Sequence, residues 1–186
     1  MSESAPATLE QRVAALEDLR AIEMLKHRYL RACDRQQPEV VRDCLSPDAV
    51  IDYDGFPVLD RESFVETYRR MGCLTHIVDM HHGQNPVIEL TGPDTARGWF
   101  DLFFYKLEEG DDPGLHLSAV AYEDDYVKRD GRWWIRCSVA RGAADGAPED
   151  RRRRGPAGRR PRPPGRTGRH AAKISGWMSA RAMTFL

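Results

Sequence analysis

Three side chains in this sequence are of the types that move a proton next to a carbonyl. They are a phenol, Tyr29, a carboxylate five residues later, Asp34, and a histidine, His81, in the run Asp79-Met80-His81-His82-Gly83. An imidazole titrates near neutral pH and can take a proton from carbon; a carboxylate beside it fixes its tautomer and stabilises the imidazolium; a phenol donates a hydrogen bond to an oxygen that gains negative charge. Those are the roles expected of His81, Asp34 and Tyr29. The same segment also contains the makings of a two-histidine, one-carboxylate metal set in His76, Asp79, His81 and His82. Strand alternation puts Asp79 and His81 on one face and His76 and His82 on the other, so no metal is expected.

The elements that must position these residues follow from periodicity. Thr8-Leu9-Glu10-Gln11 is a capping-box pattern that opens a helix. Apolar residues then recur at Leu9, Val13, Leu16, Leu19, Ile22, Leu25, Tyr29 and Ala32, a single stripe predicted to be buried. A kink is expected near Asp18, and Pro38 ends the run by Gln37. Five residues of regular helix turn Tyr29 and Asp34 about 140° apart. Both reach one cavity only if the helix ends near Cys33, which places Asp34 at or beyond the last turn. A short helix over 38–45 starts on its proline, a strand covers 49–53, and Asp60 caps a helix over 61–71 that Gly72 ends. Strands are predicted over 75–82, 86–90, 95–107, 115–129 and 132–139, the last two joined by an Asp130-Gly131 hairpin turn.

Helices first and a long meander afterwards predict an α+β fold: a cone-shaped α+β barrel, with N-terminal helices packed on a curved, mostly antiparallel sheet. Its open mouth is the expected place of the site. Phe100, Leu102 and Phe104 are expected to line it.

Of the 186 residues, 41% are hydrophobic, enough for the core of one domain. Charge divides the chain. After residue 141 there are eleven Lys and Arg against three Asp and Glu, so the first 141 residues carry about nine surplus negative charges. An acidic domain does not suit nucleic acid; only the basic tail does. Domain boundaries are therefore set at 1–8 for a disordered N-terminus, 9–141 for the folded domain, and 142–186 for an Arg/Gly/Pro-rich tail. That tail, with Arg151-Arg152-Arg153-Arg154, has too few large apolar residues to order itself, and its abrupt start resembles a shifted reading frame. Cys33, Cys44, Cys73 and Cys137 form no C-x-x-C pair, so reduced thiols in a cytoplasmic protein are expected, without a zinc knuckle or disulfide framework. Neither a signal core nor a membrane span is recognised.

His81-His82-Gly83 followed by Asn85-Pro86-x-Ile88-Glu89-Leu90-Thr91, then Thr95-Ala96-Arg97-Gly98, resembles the SnoaL-like group of the nuclear-transport-factor-two-like superfamily. The likeness is to its bile-acid dehydratase branch in particular, beside scytalone dehydratases and polyketide cyclases. Leu16-Glu17-Asp18-Leu19-x-Ala21-Ile22 with Tyr29 and Asp34 is similar to that family's opening helices. Tyr122-Glu123-Asp124-x-Tyr126 with Asp130-Gly131-Arg132-Trp133 is similar to its closing hairpin. The resemblance spans residues 9–141 and implies a tyrosine and an aspartate from the long helix and the first histidine of the strand pair: Tyr29, Asp34 and His81. It also implies departures. Phe104 stands where the dehydratase branch has an acidic residue, Asp101 points to the other face, and the late arginine of the last strand has an approximate counterpart in Arg141.

The expected function is a cofactor-independent lyase or isomerase acting by proton abstraction next to a carbonyl on a small apolar, polycyclic substrate. Tyr29, Asp34 and His81 are the catalytic residues, and His82, Phe100, Leu102, Phe104 and Arg141 bind the substrate. The alternative is a non-catalytic module of the same fold that binds a small ligand or a partner subunit. A third reading, epoxide-hydrolase-type water activation, requires Asp52 or Asp54 to face the cavity. By analogy, a second or third copy is expected on the exposed sheet, giving a homodimer or homotrimer.

Overall fold

The computed structural model describes residues 7–110 and 113–142. The expectations for residues 1–6 and 143–186, which include most of the basic tail, lie outside the described residues. Helix α1 (Leu9–Asp34) starts as its sequence requires: the Thr8 hydroxyl accepts from the Gln11 N–H at 3.3 Å, and the Gln11 side chain accepts from the Thr8 N–H at 2.8 Å. It runs unbroken past Asp18. That residue caps nothing; its carboxylate accepts from Lys128 Nζ at 2.7 Å and Trp133 Nε1 at 2.8 Å, clasping the helix to the far end of the sheet. Helix α2 (Pro38–Cys44) follows, then strands β1 (Leu45–Tyr53) and β2 (Leu59–Asp60) and helix α3 (Arg61–Met71), whose Asp60 cap accepts from the Ser63 N–H at 2.8 Å.

Four long strands complete the chain: β3 (Ile77–Gly92), β4 (Thr95–Glu108), β5 (Gly114–Arg129) and β6 (Arg132–Gly142). Their order in one sheet is β2-β1-β6-β5-β4-β3, all neighbours antiparallel except β1 with β6. The two strands predicted over 75–82 and 86–90 are one. The pairing with β4 continues across Gln84-Asn85-Pro86 with an irregularity, Asn85 taking a positive φ of 50°. Pro86 interrupts nothing because β3 is an edge strand. Asp130 and Gly131, with φ of 51° and 74°, form the predicted hairpin turn.

The sheet is curved and unclosed, and α1 packs against both β3 and β6, so the sheet wraps the helix. The core lies between them, with Ile22, Leu25 and Leu30 of α1 against Phe100, Leu102 and Phe104 of β4. The apolar stripe of α1 is buried only from Ile22 onward. Leu9, Val13 and Leu16 are exposed, Leu9 at 68%, because the first turns of the helix extend beyond the sheet that would cover them. Gly98 lies in a closely packed part of the core. A Cβ there would lie 2.9 Å from Tyr126 Cε2 and 3.1 Å from Phe100 Cε2, and Tyr126 is pinned by its hydroxyl to Asp124. Gly98→Ala is therefore expected to destabilise the fold by about 1–3 kcal/mol in urea denaturation.

Candidate active site

Asp34 is the last residue of α1, and the following turn, with Gln36 at φ 51°, carries the chain away. This puts its carboxylate over the inner face of β3. Asp34 Oδ1 accepts the His81 backbone N–H at 2.8 Å and lies 2.6 Å from His81 Nδ1. A carboxylate oxygen already serving one N–H donor is an acceptor for the second also, so Nδ1 carries the ring proton and Nε2 keeps its lone pair. The pair is largely buried, the side chains being 10% and 14% exposed, and the His81 ring lies 4.6 Å from that of Phe104, its cross-strand partner.

Tyr29 is pointed elsewhere by the rotation of the helix. It is 2% exposed, and its hydroxyl lies 2.9 Å from that of Tyr53 on β1. Tyr53 in turn lies 3.1 Å from Ser138 Oγ on β6, and Ser138 donates to Asp124 Oδ1 on β5 at 2.6 Å. Asp124 also accepts from the Tyr126 hydroxyl at 2.8 Å and has the Lys26 ammonium 2.8 Å from Oδ2. These bonds fix where the protons are. Ser138 has one proton and gives it to the carboxylate, so Tyr53 donates to Ser138 and Tyr29 donates to Tyr53. Tyr29 therefore has no proton left for a substrate oxygen while this chain is intact. Burial raises the pKa of Tyr29 and Tyr53 above the ordinary phenol value, which keeps both protonated.

The sequence did not single out Lys26, Tyr53, Asp124 or Ser138. A signal existed for Asp124, which alternates with Tyr122 and Tyr126 at inward positions of β5. The other expected site residues separate. Phe100, Leu102 and Phe104 are on the inner face with His81, all packed in the core. His82 is exposed on the opposite face, its ring 6.3 Å from that of Phe103, so it does not line the interior. Arg141 also faces out. Trp133 and Ile135 point inward, but between the Asp125–Cys137 and Tyr126–Ile135 pairs Arg136 is an extra residue, a bulge that reverses the alternation. Ser138 and Ala140 then face in, and Arg141 pairs with Asp52 and Asp54 outside. Those two carboxylates are consequently unavailable for water activation inside. Asp101, on the outer face as expected, accepts from Asn85.

A groove of about 930 Å³ runs between α1 and the β5–β6 hairpin, lined by Met24, Arg28, Arg31, Arg132 and Trp133 among others. None of Tyr29, Asp34 and His81 lines it. The helix-end pair and this groove are therefore separate places on the molecule.

Among solved structures, this fold is similar to that of a protein assigned as a scytalone dehydratase from Novosphingobium aromaticivorans DSM 12444, with a TM-score of 0.65 at 21% identity over 71% of this chain and 88% of that one. It is similar also to a hexachlorocyclohexane dehydrochlorinase, LinA-type3, from Novosphingobium barchaimii LL02, with a TM-score of 0.61 at 20% identity over 71% and 90%. A further likeness is to a nuclear-transport-factor-two-like protein with a cystatin-like fold from Novosphingobium aromaticivorans, with a TM-score of 0.62 at 18% identity over 80% and 97%. No curated protein matches the sequence. The family model described as a SnoaL-like domain matches residues 14–138, two thirds of the chain. With helices wrapped by an unclosed antiparallel sheet beneath that match, the chain belongs to the SnoaL-like family of the nuclear-transport-factor-two-like superfamily.

Proposed function

We propose that the chain is a cofactor-independent lyase or isomerase, of dehydratase or cyclase type, that takes a proton from carbon next to a carbonyl on a small apolar, polycyclic substrate. The observation that carries this reading is the 2.6 Å contact of His81 Nδ1 with Asp34 Oδ1, which leaves Nε2 as a base and a carboxylate ready to stabilise the imidazolium. Phe104 supplies an apolar wall under the ring, with Leu102 and Phe100 further along the same face. Tyr29, 2% exposed and with its own proton given to Tyr53, anchors the interior polar chain and is not assigned the substrate oxygen. A dehydratase and a dehydrochlorinase, named among the similar structures, both perform eliminations, which begin or end with such a proton transfer. Exchange of solvent deuterium into the carbon next to the carbonyl of a cyclic hydroxy-ketone, followed by NMR, tests the reading. No exchange and no elimination across a panel of such ketones would remove it.

The subunit-interaction reading is favoured by a separate observation. On the outer face three rungs of the sheet are mostly apolar across three strands: Val78, Leu107 and Leu115; Met80, Tyr105 and Leu117; His82, Phe103 and Ala119. Leu115 and Leu117 are 62% and 61% exposed. The patch bears no carboxylate or ammonium, so a second copy can present the same surface to it without like charges meeting, as a two-fold contact requires. We infer a homo-oligomer closed by this face. Replacing Phe103 and Leu117 together with glutamate is expected to weaken self-association by roughly 30-fold or more, read by analytical ultracentrifugation. An unchanged sedimentation coefficient would exclude the sheet face. The four cysteines are free thiols, as a reducing cytoplasm would keep them, and no helix among the described residues is long and apolar enough to cross a membrane.

A further inference from the structure

Asp79 stands two residues before His81 on β3 and so faces inward with it. It is 7% exposed, and its Oδ1 is buried without a hydrogen-bond partner among the described residues. An ionised carboxylate left in that condition is costly; the neutral acid is far less so. Burial is the largest influence on its pKa and pushes it above the ordinary Asp value. Asp34 at the end of α1 and Glu108 of β4 push the same way, while Lys106 of β4 and His81 oppose. From α3 and the turn after it, Tyr68 and Cys73 also feel its charge.

An elimination that starts at His81 needs a second proton. His81 removes hydrogen from carbon, and a leaving hydroxide must be protonated to depart as water. Asp34 cannot supply that proton, because its Oδ1 accepts from the backbone N–H and the Nδ1–H of His81. Tyr29 cannot supply it either, since its proton is held by the ordered run to Asp124. Asp79 is a carboxyl on the face of His81 with an oxygen committed to no donor among the described residues.

We propose that Asp79 is the general acid of this site and that its substrate carries a hydroxyl group β to the carbonyl. The proposal rests on the reading of His81 as the base. In the step, the Cα–H bond breaks and its proton passes to His81 Nε2, while its electron pair becomes the Cα=Cβ π bond. The Cβ–O bond breaks with its electrons on oxygen, which takes the carboxyl proton of Asp79. The products are an enone, water, an imidazolium and a carboxylate, and transfer of the imidazolium proton to Asp79 restores the starting state.

The test uses the full chain with two ketones, 3-hydroxycyclohexanone and 3-chlorocyclohexanone, of which the second loses chloride and needs no acid. Asp79→Asn is expected to slow the hydroxy-ketone by about 100-fold or more and the chloro-ketone by less than about threefold. His81→Ala is expected to slow both. Equal losses of the two ketones in Asp79→Asn, or none, would overturn the acid. If His81→Ala spared the chloro-ketone, it is the base reading that falls. A measurement without substrate decides the matter if neither ketone reacts or the variant folds poorly. In protein carrying 13C-labelled aspartate, one carboxyl signal should titrate above the usual Asp range and move further up in Lys106→Met. If every aspartate signal is fully ionised above about pH 5, Asp79 holds no proton to give and the proposal is wrong.

Discussion

In a reaction that begins with loss of a proton from carbon, His81→Ala is expected to lower turnover by about 10²–10⁴-fold, the contribution of a positioned general base. The loss should appear in kcat as well as in kcat/KM, because the imidazole acts on the reacting bond more than on binding. The fold should survive, since the Asp34 bond to the His81 backbone N–H remains when the ring is removed. Circular dichroism and urea midpoints close to those of the parent would establish that. Asp34→Asn removes the charge but keeps an oxygen for the His81 N–H, so it isolates the electrostatic part. An amide can turn its NH₂ toward Nδ1 and place the ring proton on Nε2, which disables the base without moving it. Its effect is expected to approach that of His81→Ala. Full turnover in either variant would mean that the pair at the helix end is structural.

That pair was legible because its parts are local. The capping box of α1, the proline that closes the helical run and the strand pattern around His81 each fix one position, and the family resemblance links them. The angular separation of Tyr29 and Asp34 was also legible, and the structure shows its consequence, with one directed to β6 by way of β1 and the other to β3. Periodicity failed where coverage depends on where neighbours end. It identified the apolar side of α1 but not that Leu9, Val13 and Leu16 would extend past the sheet. It failed again at Arg136, because one inserted residue in β6 reverses every later side chain and nothing in the local sequence announces it. Arg141, named for substrate binding as the counterpart of the family's late arginine, lies after that bulge and faces out. Gly83-Gln84-Asn85 was read as a break because those residue types favour turns, yet an edge strand tolerates them.

Lys26→Met is expected to destabilise the domain by about 3–5 kcal/mol, the cost of stranding one partner of a buried ion pair. Lys26 and Asp124 are 98 residues apart in sequence and both have fully buried side chains. The ammonium is held by charge and by the face of Tyr122, 3.5 Å away, more than by an aligned hydrogen bond. Burial depresses its pKa, and Asp124 resists that depression. With the ammonium gone, Asp124 retains the Ser138 and Tyr126 hydroxyls but must bear its charge without a counter-ion or take up a proton. If it protonates, Ser138 can no longer be obliged to donate toward it, and the order that runs back through Tyr53 to Tyr29 loses its anchor. The double variant Lys26→Met with Asp124→Asn should regain a large part of the stability, since no unpaired charge remains, while leaving that proton order unfixed. Urea denaturation of the two singles and the double gives the coupling directly. A loss below about 1 kcal/mol for Lys26→Met would show that the pair is not held as two opposite charges, and the proton order that runs back to Tyr29 would lose its basis.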